Sequence, residues 1–332
     1  MTGHLETRLS SQPKWMRTTL QAILHYGGSA LILCFLFRLL PGRRVWHALG
    51  SLPTHLWVIA LVGYLAAHCI GVCKYRLVVN LAGAGLNVRQ AARCYFAGLF
   101  GSLFLPSLIG GDLLRAALAM RMGKTKAGVL VGSLVDRIID LVGLVLFAGT
   151  GALLVPEALD PARRRIFVWL GGAAILGVLV CAIVLRLLPI GRFSFRVRRR
   201  LVRFRRAGRS MARRPRVVLG ALGLGMSVQL IFLVLNIALA EAFGLRLLFR
   251  AWLFAWPLAK LSATLPITPG GIGVREAALA ALLLPFGASA ALGVAAGFAW
   301  DAIVISGALM GGLFSLVLGR PSPGPDGGEN AR

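Results

Sequence analysis

Charged side chains that interrupt apolar stretches are the residues of this sequence best suited to chemistry. Five are carboxylates and four are cations: Asp112, Asp136, Asp140, Glu276 and Asp301, with Arg115, Arg137, Lys260 and Arg275. Each would cost about 2.5–3.5 kcal/mol at the centre of a membrane. Nine such charges left unpaired would exceed the about 5–15 kcal/mol that stabilises a typical domain. We therefore expect them to be paired, to lie near an interface, or to face water.

The pattern indicates a polar cavity in which arginines bind a phosphate and carboxylates bind a cationic group or the arginines themselves. The candidate substrate-binding residues are Asp112, Arg115, Asp136, Arg137, Lys260, Arg275 and Glu276. Candidate proton sites are Asp136, Asp140 and Glu276, and the two aspartates, four residues apart, share one helix face. The alternative is a set of ion pairs that hold helices together, with Arg115 and Arg137 extending to the interface.

Two segments repeat at an offset of 160 residues. Leu105–Ala117 and Leu265–Ala277 are identical at six of thirteen positions, including the Pro, the Gly pair and the arginine (115 and 275). Pro and Gly interrupt helices, and irregular backbone persists at membrane depth only where protein or a water-filled cavity satisfies it. We expect a short helix to begin after each Gly pair, with its N-terminus, which attracts anions, directed at the cavity. The alternative is a pair of ordinary loops that are rich in Gly and Pro by chance.

Motifs for a metal ion or a nucleotide are absent from the sequence. The five cysteines lack zinc-finger and redox spacing, and the five histidines form no HExxH-like pattern. No GxxxxGK[ST] motif is present, so ATP is not expected to drive a transport step. We predict neither a cofactor nor a metal site.

The composition is that of a membrane protein. The chain has 332 residues, of which 58% are hydrophobic and 14% charged, and its mean hydropathy is +0.79. Soluble domains carry about 25% charged residues, so a soluble enzyme is excluded, and a chain this apolar would not stay disordered in water. The net charge of +26 would suit a nucleic-acid binder. The basic residues, however, fall between apolar segments, as in inner-membrane proteins, and we expect no nucleic-acid partner.

Hydropathy predicts an all-α, polytopic bundle. The apolar runs are 20–40, 55–73, 94–109, 128–155, 166–189, 217–243, 251–267, 272–285 and 288–318. The runs 94–109 and 272–285 are short for a span. We therefore predict seven to eight spans with two re-entrant hairpins, 94–112 and 251–285, in two membrane halves, 20–190 and 217–318. Three crossings separate the hairpins, which makes them an inverted repeat.

Arginine placement predicts the orientation. Residues 186–216 contain thirteen arginines and no acidic residue, which indicates a cytoplasmic loop (191–216). Counting crossings from this loop places four other segments in the cytoplasm: the N-terminal segment 1–19, the loops 74–93 and 115–126, and a disordered tail 319–332. The loop 156–165 is external. The three arginines at 163–165 lie in the external loop, whereas basic residues are usually found in cytoplasmic loops. The arginine-rich segment is either a topogenic signal or an amphipathic surface helix that binds anionic lipid headgroups.

At these residues the chain resembles the lysylphosphatidylglycerol synthase transmembrane-region family. The motifs are Leu105–Arg115, Asp136-Arg137 and Leu265–Glu276, within a resemblance that covers about 20–318. It implies a helical bundle that acts in lipid translocation or in lipid and envelope biosynthesis. Carried over position by position, the family's motif charges are Asp112, Arg115, Arg137, Arg275 and Glu276.

Three features distinguish this chain from the family pattern. Asp136-Arg137 stands where Glu-Arg is usual, and Trp300-Asp301 replaces a tyrosine–arginine pair in the last helix. The chain ends fourteen residues after the last predicted span. We therefore expect it to lack the aminoacyl-transferase domain of bifunctional members.

Three hypotheses of function follow. The preferred one is a transporter, not an enzyme, that moves an anionic or zwitterionic lipid between leaflets of the inner membrane, passively or coupled to ions. The second is an intramembrane lipid-modifying enzyme with Asp112 or Glu276 as general base. The third is a non-catalytic partner subunit.

Overall fold

The computed structural model describes residues 53–103, 107–155, 195–264 and 273–319, and the regular structure in these ranges is helical. Its helices are α1 (Thr54–Leu81), α2 (Val88–Gly101), α3 (Ser107–Met122), α4 (Lys126–Leu154), α5 (Phe195–Ala212), α6 (Pro215–Ala242), α7 (Phe249–Ser262), α8 (Val274–Leu283) and α9 (Ala290–Gly319). A 3-10 turn, Leu284–Phe286, follows α8. The all-α class is confirmed. The expected spans at 20–40 and 166–189, the segments 1–19 and 156–165, and the tail after residue 319 lie outside the described residues.

Three of the described helices are long and apolar enough to cross a membrane. These are α1 and α6, with 28 residues each, and α9, with 30. At 1.5 Å per residue each exceeds the about 30 Å of a bilayer's hydrocarbon core. Large apolar side chains on their outer faces are exposed, for example Leu219 at 64% and Leu316 at 73%. The bundle therefore has an interior that is packed against protein and an exterior suited to lipid.

Small residues on α9 let its neighbours approach closely. A Cβ atom on Gly307 would lie 2.4 Å from Cε1 of Tyr64 on α1, and one on Gly312 would lie 2.6 Å from Cδ2 of Phe100 on α2. Membrane helices without a hydrophobic drive to associate rely on such small-residue contacts. These two glycines therefore allow α9 to pack closely against α1 and α2.

The first broken segment is a pair of short helices, α2 and α3, that contact each other. A capping box between Asn87 and Gln90 starts α2. The predicted helix start after the Gly pair is wrong here, because α3 begins at Ser107 and includes Gly110 and Gly111. A Cβ on Gly111 would lie 2.5 Å from the carbonyl oxygen of Gly98 on α2. Gly111 therefore permits close helix packing rather than breaking the helix.

The second broken segment is formed by α7 and α8, which also contact each other. α7 has 14 residues, with Pro257 inside it, and α8 has only 10, about 15 Å of helix. Gly273 precedes α8 with a φ of 90°, in the region that favours glycine. Here the short helix does begin after the Gly pair, as predicted.

Two of the predicted loops are largely helical. α1 continues through Lys74 to Leu81, so the chain turns only between α1 and α2, where Asn80 bonds both backbone groups of Leu86. Likewise α3 runs past Arg115 to Met122, and the turn follows it. The loops 74–93 and 115–126 are shorter than predicted, because Lys74 and Arg115, which were taken as their first residues, lie within helices and are buried and paired inside the bundle.

The described part of the arginine-rich segment is the helix α5. It packs on α4, with Ala207 and Met211 buried against residues of α1, α4 and α6. Its arginines at 203, 206 and 209 are exposed. The predicted loop at 191–216 is therefore helical over Phe195–Ala212, with a small apolar face and a broad basic one.

Candidate functional site

A cavity of about 180 Å³ lies at the centre of the described bundle, lined by residues of α1–α4 and α6–α9 and of the turns after α2 and α7. Six of the predicted site residues line it: Asp112, Arg115, Arg137, Asp140, Lys260 and Arg275. Asp136 and Glu276 do not, but each is 0% exposed and is bound to an arginine that does. The two arginines of the 160-residue repeat therefore reach one cavity from the two broken segments.

The larger group of charges, which we call the α4 cluster, balances three cations against three carboxylates. Its members are Lys74, Asp112, Arg115, Asp136, Arg137 and Asp140. Asp136 lies 3.0 Å from Lys74 Nζ and 3.1 Å from Arg115 Nη2. Lys74 Nζ also lies 2.5 Å from Asp140 Oδ1. Because 136 and 140 share a helix face, one lysine of α1 reaches both.

The rim of the α4 cluster is built around Asp112. Its two carboxylate oxygens lie 3.0 Å from Arg115 Nη2 and 3.3 Å from Arg137 Nη1. The guanidinium carbon of Arg115 also lies 4.3 Å from the ring centre of Tyr75 and 5.3 Å from that of Tyr95. Arg115 is thus held by two carboxylates and two aromatic faces, which fixes its position.

Lys74 was not predicted as a site residue. It is 3% exposed and lies within α1, after the apolar run that was taken to end at residue 73. The signal in the sequence is the apolar stretch that resumes after Arg76, since a cytoplasmic loop would not be expected to continue as Leu77-Val78-Val79. A buried lysine facing two aspartates is what makes the α4 cluster neutral.

The second group, the α8 cluster, consists of Arg275, Glu276 and Asp301. Arg275 Nε donates to Glu276 Oε1 at 2.9 Å, and its Nη2 donates to Asp301 on α9. Glu276 Oε2 accepts from the backbone N–H of Gly273. The expectation that the start of α8 would be open to an external anion is therefore wrong, because the side chain of Glu276 already caps it.

Lys260, on α7, is bound differently from the other cations. Its Nζ donates to Gln229 Oε1 on α6 at 2.7 Å and lies 4.6 Å from the ring centre of Phe232. Among the described residues, no carboxylate lies within ion-pair distance of it. Both of its contacts are with uncharged groups, so its positive charge is not neutralised by direct contact.

Aromatic rings form much of the remaining wall. Phe232 contacts Tyr64, His68 and Trp300, with ring centres 5.3–5.4 Å apart. His68 is 8% exposed, its Nδ1 lies 3.2 Å from the Tyr95 hydroxyl, and its Nε2 has no hydrogen-bond partner among the described residues. Sequence reasoning missed His68, Gln229 and the aromatic wall, because single polar residues in apolar helices have no distinctive spacing.

A family comparison decides what kind of protein carries this site. The family described as "Lysylphosphatidylglycerol synthase TM region" matches residues 22–311. The chain belongs to this family. In comparisons with curated proteins and with solved structures, no match was found.

Family membership and the apolar helices together identify an integral membrane protein of lipid biosynthesis. The matched range includes both broken segments, both charge clusters and Lys260. The Trp300-Asp301 departure from the family pattern has a local explanation, since Asp301 pairs with Arg275. Asp301 stands where the family pattern has an arginine, so Arg275 gains a second carboxylate partner beside Glu276. This second partner makes Arg275 less available to an anionic ligand.

Proposed function

We propose that this protein is a lipid transporter, in which the headgroup of an anionic or zwitterionic lipid crosses the inner membrane through the central cavity. The observation that carries the proposal is the polar cavity itself, which both broken helix pairs reach inside a bundle with an apolar exterior. Such interrupted elements line substrate sites in transporters. The acyl chains would stay in the bilayer while the headgroup passes between charged walls.

The charge clusters suit passage better than chemistry. The two carboxylates that could act as a general base, Asp112 and Glu276, are each bound by arginine. A carboxylate whose oxygens are occupied by a guanidinium of the chain is placed for positioning rather than for proton abstraction. The lipid-modifying enzyme is therefore the weaker hypothesis, and a partner subunit would not need a charged cavity.

Proton coupling, if present, would use Asp140. Of the three candidate proton sites, Asp136 and Glu276 are 0% exposed, whereas the Asp140 side chain is 25% exposed and lines the cavity. A group that exchanges protons with a transport pathway must meet its water. We propose that Asp136 and Glu276 instead hold the helices together.

For the orientation in the membrane, we propose that both termini lie in the cytoplasm.

The test measures the exchange of lipid between the two leaflets of proteoliposomes. The probe is phosphatidylglycerol with a dithionite-sensitive fluorophore on an acyl chain, and added dithionite quenches the probe molecules that lie in the outer leaflet. Leu141 lines the cavity on α4, and Leu146, on the same helix, is exposed at 45% toward the lipid side. Leu141→Trp should slow exchange by obstructing the cavity, whereas Leu146→Trp should exchange as the wild type does. Equal exchange by both variants, or no exchange by the wild type, would refute transport through this cavity.

A further inference from the structure

We infer that Lys260 is the group that receives the ligand's phosphate, and that the cavity selects a lipid whose headgroup is anionic and carries no cation. This inference rests on the proposed function and narrows its substrate class. Lys260 lines the cavity and makes its hydrogen bond to the neutral Gln229. Every cation of the α4 and α8 clusters, by contrast, is bound by one or more carboxylates.

The arginines that the repeat first suggested are already occupied. Arg115 is shared by Asp112 and Asp136, and Arg275 is shared by Glu276 and Asp301. An incoming phosphate would have to displace a buried carboxylate from either arginine and leave it unpaired, which is costly. At Lys260 it would replace only contacts with an amide oxygen and a ring face.

The same contacts disfavour a cationic headgroup. A quaternary or primary ammonium is bound by aromatic faces or by free carboxylates. Phe232 already faces Lys260, and both Tyr75 and Tyr95 face Arg115. Each of the five carboxylates in the two clusters is bound by at least one cation of the chain. Tyr64 and Trp300 also line the cavity, but their rings are packed against Phe232 and against each other. A zwitterionic lipid would find a partner for its phosphate at Lys260, whereas its amine would have to compete with a cation of the chain for each carboxylate.

His68 provides a second polar group on the same wall. Its ring and Lys260 Nζ both contact Phe232, at 5.3 and 4.6 Å from the ring centre. When the Tyr95 hydroxyl donates to Nδ1, the hydrogen of the neutral ring is on Nε2, which has no partner among the described residues. His68 therefore adds an uncharged polar group to the cavity wall that carries Lys260.

Two substitutions separate the charge of Lys260 from its packing. Lys260→Gln removes the cation. Gln229→Glu keeps Lys260 but places a carboxylate of the same shape where the amide oxygen now lies, so that the lysine becomes paired within the protein. Lys260→Arg retains a cation. Lys126→Gln makes the same charge change at an exposed position outside the cavity and is the matched control.

The decisive experiment is a calorimetric titration of the full-length protein in phosphatidylcholine nanodiscs with three probes: dihexanoyl-phosphatidylglycerol, dihexanoyl-phosphatidylcholine and inorganic phosphate. Wild type, Lys260→Arg and Lys126→Gln should bind the anionic lipid alike. Lys260→Gln and Gln229→Glu should bind it about 10- to 100-fold more weakly, the effect of losing a charged hydrogen bond. Unchanged binding in both, or equal binding of the choline lipid to the wild type, would overturn the inference. If inorganic phosphate bound the wild type as tightly as the anionic lipid does, the assignment of a lipid as the ligand would be refuted.

Lipid exchange in proteoliposomes of the same variants distinguishes this inference from the proposed function. A wild-type protein that binds the anionic lipid but exchanges none would refute transport and leave the anion site standing. A Lys260→Gln variant that exchanges phosphatidylglycerol at the wild-type rate would refute the anion site and leave transport standing. Melting temperatures of all variants establish that each is folded.

Discussion

At the scale of single residues, Asp136 joins three helices. It lies on α4 with 0% of its surface exposed and contacts Lys74 of α1 and Arg115 of α3. Removing one partner of a buried ion pair leaves an uncompensated charge in a medium of low polarity. In the α4 cluster it would leave three cations facing two carboxylates.

We therefore predict that Asp136→Ala lowers the free energy of unfolding by about 3–5 kcal/mol. The measurement is denaturant unfolding of the purified protein in detergent. The control is Glu241→Ala, since Glu241 is an exposed carboxylate on α6, and it should change stability by about 0.5 kcal/mol or less. A similarly small effect for Asp136→Ala would mean that the α4 cluster does not hold the bundle together.

At the scale of elements, the α2–α3 pair depends on backbone contact. A Cβ on Gly98 would lie 2.8 Å from the carbonyl oxygen of Gly111 and 2.8 Å from Cβ of Arg115. Backbone and a Cβ atom cannot swing aside as the end of a flexible side chain can. The two helices would have to separate, and Arg115 would move with α3.

Gly98→Ala should therefore destabilise the protein by about 1–3 kcal/mol, the usual cost of overpacking. Gly149→Ala, on α4, is the matched control, because a Cβ there meets nothing within 4 Å. That change should be neutral or stabilising by up to about 1 kcal/mol, since alanine favours helix more than glycine does. Thermal unfolding of both variants in detergent measures the difference, and equal effects would contradict close packing of α2 on α3.

The basic face of α5 is a further element-scale feature, and we propose that it binds anionic lipid headgroups. The exposed arginines at 203, 206 and 209 should each contribute about 1 kcal/mol near an anionic surface. Changing all three to Gln should reduce the phosphatidylglycerol that co-purifies with the protein, as measured by native mass spectrometry. Unchanged lipid retention with an inverted orientation in the membrane would instead identify the segment as a topogenic signal alone.

At the scale of the whole molecule, the sequence predicts the helical class and the convergence of its charges better than it predicts helix ends. The 160-residue repeat correctly brings Arg115 and Arg275 to one cavity, because each follows a break that sends a short helix inward. It does not predict the role of the Gly pair, which starts no helix in α3 but allows close contact with α2. That difference depends on Gly98, a residue of another helix.

Partners distant in the chain account for much of what else could not be predicted. Lys74 pairs with carboxylates 62 and 66 residues away, and Asp301 pairs with an arginine 26 residues away. Glu276 faces its own helix start, so a side chain expected at the substrate is instead a cap. Local patterns indicate which residues are charged within the membrane, but only packing decides which of them remain free to bind a ligand.

The proposed transport requires water to reach the charged cavity between the two broken helix pairs. Thr264, in the turn after α7, lines that cavity, whereas Leu146 is exposed at 45% on the outside of α4. In a background without the five native cysteines, cysteines at these two positions can be labelled with a charged methanethiosulfonate, which reacts with thiolates in contact with water. We predict rapid labelling of Thr264→Cys, slowed by dihexanoyl-phosphatidylglycerol, and no labelling of Leu146→Cys. If the cysteine at 264 were as unreactive as the lipid-facing cysteine at 146, the result would contradict water access to the cavity.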